Sequence, residues 1–230
     1  MRYTLFTLIY LFGFTICKAQ ESNIKTVDSL YKEDHFYASV TYNLLGKIPS
    51  NLNQSGFSLG FHLGFIKDIP INKNRNVAIG MGLGYSANSF NQDLLINKDA
   101  SGAFQYSIIE DSGTFSKNKF TNHLIELPIE FRWRTSTPTD YNFWRIYTGF
   151  KFGYVLTNSA KYKGDLGDFK ITNIDDFNDF QYGLTLSVGY NTWNFFLYYA
   201  LNPLFSNNAK LNNENLDINA IKIGLIFYIL

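Results

Sequence analysis

The chain has 230 residues, enough for one sizeable domain, and a formal net charge of +1, so no basic field points to a nucleic-acid partner. Aromatic residues make up 18%, with 22 Phe and 16 Tyr, a skew that favours pleated strands over helices. Five prolines are too few for an extended or disordered chain.

Residues 1–19 read as a signal peptide: Arg2 supplies a positive start, an apolar or neutral run ends at Cys17, and Cys17-Lys18-Ala19 resembles a small-residue cleavage site. The run is short against the roughly 20 residues of a spanning helix, which favours removal over a retained anchor. A lipoprotein would need Cys17 as its first mature residue, and Phe14-Thr15-Ile16 is a poor lipobox. Cleavage after Ala19 leaves no cysteine, hence neither disulfide nor thiol chemistry. Residues 20–33 form a polar tail expected on the periplasmic side, and residues 34–230 the folded domain.

Eight segments follow in which large apolar residues occupy alternate places, the mark of a strand with two unlike faces. The first is expected over about 35–45, with Phe36, Ala38, Val40, Tyr42 and Leu44 on one side. The second, within 56–67, carries Phe57, Leu59, Phe61, Leu63 and Phe65, interleaved with Ser58, Gly60, His62 and Gly64. The third covers 77–89, the fourth about 120–134, the fifth starts near Trp144, the sixth covers 180–190, the seventh starts at Trp193, and the last runs from 218 to the end. Longer polar connections (46–55, 90–118, 158–179, 203–217) alternate with shorter ones (68–76, 135–141, 191–192). That alternation is expected of an all-β, eight-stranded antiparallel up-and-down transmembrane barrel, with long outer loops, short inner turns and periplasmic termini. Closure also removes the open edges that a sheet cannot leave in lipid.

Alternation alone does not say which face is wet, because a soluble barrel would turn its Phe and Leu inward. The minor face is mostly Gly, Ser, Thr and Asn, a poor soluble surface that suits a narrow polar lumen. The topology also places Trp133, Trp144 and Trp193 at one rim of the apolar face, where an interfacial belt belongs. The expected surroundings are outer-membrane lipid.

The most charged stretch is HLIELPIEFRWR, residues 123–134. Glu126, Glu130, Arg132 and Arg134 share its non-lipid face, and Arg145, Lys151 and Lys222 join them from neighbouring strands. Buried charges must pair, so these seven form either a salt-bridge plug or an ion path; the plug is favoured because side chains fill barrels of this size. Pro128 in the same strand is expected to bring a bulge or kink. His35, His62 and His123 are scattered, with no metal-ligand spacing. Gly80-Met81-Gly82-Leu83-Gly84 contains a GxG, but inside a strand, where glycine relieves crowding in the lumen. No catalytic, cofactor-binding or metal residues are assigned.

The signal ending Lys18-Ala19-Gln20, the strand Leu124-Ile125-Glu126-Leu127-Pro128 with Glu130-Phe131-Arg132 after it, and the terminal Lys222-Ile223-Gly224-Leu225-Ile226-Phe227 resemble the PorT-like, porin-family small outer-membrane barrels of Bacteroidetes-type bacteria. The likeness covers essentially the mature chain. It implies a barrel, and it carries over neither a pore nor catalytic residues; the eponymous member is linked to a protein-secretion machine. One departure is the C-terminus, where Ile229-Leu230 follow Phe227 and Tyr228 instead of a final aromatic. The expected function is a non-enzymatic structural or accessory barrel of an envelope or secretion complex, without a cofactor, meeting protein partners through residues 91–119 and 158–179. A narrow channel for small solutes or ions is the alternative.

Overall fold

A computed structural model describes residues 33–135 and 143–229. The signal peptide, most of the polar tail and the turn bearing Pro138 and Asp140 lie outside the described residues. The strands are β1 His35–Gly46, β2 Leu59–Pro70, β3 Val77–Asn91, β4 Leu94–Lys98, β5 Phe104–Ile108, β6 Phe115–Arg134, β7 Trp144–Gly164, β8 Phe169–Thr172, β9 Phe180–Tyr190, β10 Trp193–Ala200, β11 Lys210–Leu211, β12 Glu214–Asn215 and β13 Asn219–Ile229.

Eight of them close a barrel in the order β6-β3-β2-β1-β13-β10-β9-β7, with β7 returning to β6. Every pairing is antiparallel, and the first and last barrel strands zip together from Phe36↔Ile229 to Gly46↔Asn219. No barrel strand is left with an unpaired edge among the described residues, as a lipid environment demands. Both ends of the described chain lie at the rim of the short connections. One of these, Asn191-Thr192, turns β9 into β10 with Asn191 at φ 54°, a left-handed position that asparagine tolerates.

The pleat sorts the side chains as the alternation requires. Phe36, Phe61, Leu63, Leu83, Phe150, Phe152 and Phe195 are exposed on the outer face, far more apolar surface than a soluble monomer carries. Trp133, Trp144 and Trp193 are also exposed, all at the short-turn rim. The interior is lined with polar and charged groups, and glycines give them room. Glu126 pairs across the ladder with Gly84 and Gly153, and Glu130 with Gly80 and Gly149. A Cβ at Gly80 would stand 2.7 Å from Arg132 Cδ, inside any real contact.

Three features differ from the expectation. The second alternating segment enters the barrel at Leu59, so Phe57 lies in the loop above it. Pro128 brings no bulge: it pairs with Lys151, and the β3 register is the same at Met81↔Ile129 below it and Gly84↔Glu126 above. The irregularities fall at Phe115/Lys117 and His123/Leu124 instead. Finally, β6 and β7 run to 20 and 21 residues, well above the other barrel strands.

Candidate functional site: the barrel interior and its lid

All seven charged residues expected inside, Glu126, Glu130, Arg132, Arg134, Arg145, Lys151 and Lys222, are buried and face the lumen. They fall into two layers. In the layer near the short-turn rim, Asp68 is the centre. Its Oδ1 accepts from Arg132 Nη1 at 2.8 Å and Arg134 Nη1 at 2.9 Å, and its Oδ2 accepts from Arg134 Nη2 at 2.7 Å. Glu33, just before β1, turns inward beside them. Its Oε2 accepts from Tyr147 Oη at 3.2 Å and lies 3.9 Å from both Arg134 and Arg145. Arg132 Nη2 donates to His35 Nδ1 at 3.0 Å, and the guanidinium stacks 4.2 Å over the Tyr147 ring. Charge-assisted, bidentate contacts of this kind are the strong ones.

In the layer above, Glu126 is the centre. Lys151 Nζ stands 3.0 Å from its Oε2, His62 Nδ1 3.5 Å from the same atom, and Ser86 Oγ donates to Oε1 at 2.8 Å. Glu130 is held more loosely, 3.6 Å from Arg132 Nε. Lys222 meets no carboxylate within 4.0 Å among the described residues and lies 4.9 Å over the Tyr198 ring. Thr41 Oγ1 is 3.2 Å from His62 Nε2, so hydroxyl, imidazole and carboxylate stand in the order of a nucleophile, base and orienter. Thr41 is 1% exposed, and its hydroxyl also donates to Asn43 Oδ1 at 2.9 Å. No group of three or more potential metal ligands occurs among the described residues.

Glu33, Asp68 and Tyr147 were not singled out by sequence. Glu33 sits in what reads as tail and Asp68 in what reads as connection. The available signal was the parity of Asp68 with His62, Gly64 and Ile66, which puts it on their inward face if the strand is prolonged.

Above the charged layers the interior turns apolar. Phe90 of β3 and Phe120 of β6 stack inward at 5.0 Å between centroids. The long connections close over them: Phe177 and Phe205 approach each other to 4.5 Å and Phe120 to 5.5 and 5.6 Å. Leu52, Leu94, Ile96, Ile174, Leu204 and Ile218 belong to the same cluster. The β4–β5 hairpin is tied down by Tyr106, whose Oη donates to Asp176 Oδ2 at 2.8 Å, and by Asp93, which accepts from Asn53 N at 2.8 Å. Burial, then the neighbouring Asp176 carboxylate, raises the Tyr106 pKa above the ordinary tyrosine range. The connections that read as polar excursions thus hold an apolar lid; the alternation of Phe104, Tyr106 and Ile108 marks a strand within 90–118, while the other lid residues come singly or in short clusters from separate connections.

The family model for the outer membrane protein beta-barrel domain matches residues 18–206. No curated protein matches the chain. Among solved structures, it is similar to Ail, the attachment invasion locus protein of Yersinia pestis, at 12% identity and a TM-score of 0.36, over 86% of this chain and 99% of that one. It is similar to a triple mutant of the Rhodopseudomonas blastica porin at 9% identity and a TM-score of 0.20, over 86% and 100% of the two chains.

Proposed function

The chain belongs to the outer membrane protein beta-barrel domain family, and from that premise we propose that this outer-membrane barrel is a non-conducting, non-enzymatic accessory component of an envelope or secretion complex. The observation that carries this reading is the lid. Four long connections spend apolar side chains on a common core, and so present one ordered outer surface instead of separate mobile loops. The charged layers below support the same reading, since their carboxylates and guanidiniums bind each other and leave the lumen filled. The Thr41–His62–Glu126 set is read as part of that filling. The finer kinship is with PorT-like barrels of Bacteroidetes-type bacteria, the signal peptide is removed, and the termini are periplasmic with the lid outside.

The test is gentle detergent extraction of native outer membranes, sized on native gels with identification of co-migrating proteins. A discrete large species that falls to monomer size when residues 94–108 are replaced by a short linker supports the accessory role. A monomer-sized species with step conductance in planar bilayers overturns it in favour of the narrow channel. Charge removal at Glu126 or Arg132 then separates the two again, altering conductance if a path exists and chiefly stability if they form a plug.

A further inference from the structure

The bulge opposite His123/Leu124 has an effect on the outside of the barrel. Below it the even-numbered residues of β7, such as Phe152 and Tyr154, face outward; above it Thr157, Ser159 and Lys161 do. One extra residue flips a strand's faces, and here the flip turns two lysines of β7 outward. Lys119 then stands directly opposite Lys161, which stands opposite Lys170 of β8, while Lys117 stands opposite Lys163. Like charges in facing positions destabilise a sheet unless something neutralises them. Lys163 is answered by Asp168 at 2.8 Å. Lys117, Lys119, Lys161 and Lys170 have no carboxylate within 4.0 Å among the described residues, and they line a groove of about 250 Å³ floored by the Thr121 and Ser159 hydroxyls.

A second groove, of about 380 Å³, shares Lys119 and Thr121 with the first. Its floor is the small side of β3, Ala87 and Ser89, between Leu59 and Phe61 on one wall and His123 on the other. Apolar trough and cationic ladder are therefore continuous. Their height fits a membrane interface. His123 is ten residues above Trp133 on β6; at ~3.4 Å per residue and a tilt of ~40° that is ~26 Å, the top of an apolar band ~25 Å tall. Lys119 lies four residues higher, ~10 Å above the band by the same conversion, at headgroup level.

We propose that the outer faces of β2, β3, β6, β7 and β8 form a binding site for a phosphorylated glycolipid of the outer leaflet. The phosphates sit on the lysine ladder and an acyl chain lies in the trough beneath. The inference rests on the orientation given above, with the lid outside. Lipid phosphate supplies the counter-charge that the ladder lacks, and the Thr121–Ser159 hydroxyl pair, bonded to each other at 2.8 Å, keeps one O–H free to donate to it.

The test uses the full chain folded in detergent, with bisphosphorylated lipid A, fully dephosphorylated lipid A and inorganic phosphate as probes, read by native mass spectrometry and heat-induced gel-mobility shift. Wild type should retain bisphosphorylated lipid A and unfold at higher temperature with it. The K117Q/K119Q/K161Q/K170Q variant should retain it about tenfold less or weaker still. Without lipid that variant should unfold at the same or a higher temperature, because repulsion is relieved. A K→R variant at the same four positions should bind as wild type. Equal retention of dephosphorylated lipid A, or unchanged binding by the glutamine variant, overturns the site. Displacement of lipid A by millimolar inorganic phosphate alone also overturns it, leaving a free-anion site. Orientation is read separately, by labelling S101C in whole cells with an impermeant maleimide. Failure to label overturns the orientation while leaving the binding result readable.

Discussion

Asp68 is the carboxylate on which the lower charged layer depends, because both of its oxygens are engaged by two guanidiniums that are 0% exposed. Removing one partner of a buried ion pair leaves the other uncompensated, at a cost of about 3–5 kcal/mol. Asp68→Asn should therefore cost about that much, measured by urea unfolding in lipid vesicles. Glu130→Gln should cost far less, since Glu130 makes only a 3.6 Å approach to Arg132 Nε. Equal effects would mean that the layer is held by something other than Asp68. The seven luminal charges could be read from parity alone, because each lies between residues whose phase is plain. Asp68 and Glu33 could not. A period of two gives the face of a residue once it is known to be in a strand, and it says little about where a strand ends among charged residues.

At the level of the strand, the fit between large luminal groups and glycine sets the packing. Tyr37 pairs with Gly64, which pairs with Gly84, so the ring lies across two positions without side chains. A Cβ at Gly84 would run into Tyr37 Oη and stand 3.0 Å from the Leu63 carbonyl oxygen. Gly84→Ala should destabilise the barrel by about 1–3 kcal/mol through overpacking, whereas Gly84→Ala combined with Tyr37→Phe should recover part of the loss; no recovery would place the clash with the backbone. The strand interiors were legible because this alternation of bulk is written in the sequence. The upper reach of β7 was not. Its alternation breaks after Tyr154, which reads as the strand's end, yet the break is the bulge, and the strand continues to Gly164. Burial of the β4–β5 hairpin has a pH signature of its own. The Tyr106 pKa is raised in the folded state, so the stability it lends is present below the unfolded value of about 10 and is lost as pH rises through the higher folded value. Near-ultraviolet circular dichroism of the lid aromatics should weaken above pH 10 in wild type and weaken less in Tyr106→Phe; identical profiles would detach the hairpin's docking from Tyr106.

For the molecule as a whole, lid and plug are, on the proposed accessory reading, two closures in series, and series closures make a definite statement about conductance. Current through such a path is limited by its tighter element, so opening one leaves the barrel shut. The lid is held by apolar contacts among Phe90, Phe120, Phe177 and Phe205, and the lower layers by ion pairs around Asp68 and Glu126. The aromatic contacts and the ion pairs are made by different side chains, so each closure can be removed without deleting a partner of the other. Replacing residues 94–108 with a short linker should therefore leave planar bilayers silent. Neutralising Glu126 and Lys151 together, which avoids stranding either charge, should also leave them silent under an intact lid. Only the combination should produce brief, small current steps, because eight strands enclose little more than the width of their own side chains. Steady conductance from the linker variant alone would mean that the ion-paired layers are permeable, and would return the narrow-channel reading to first place. Silence in all three, with the barrel still folded, would locate the seal at the remaining Asp68–Arg132–Arg134 layer, whose neutralisation is then the next variant to record.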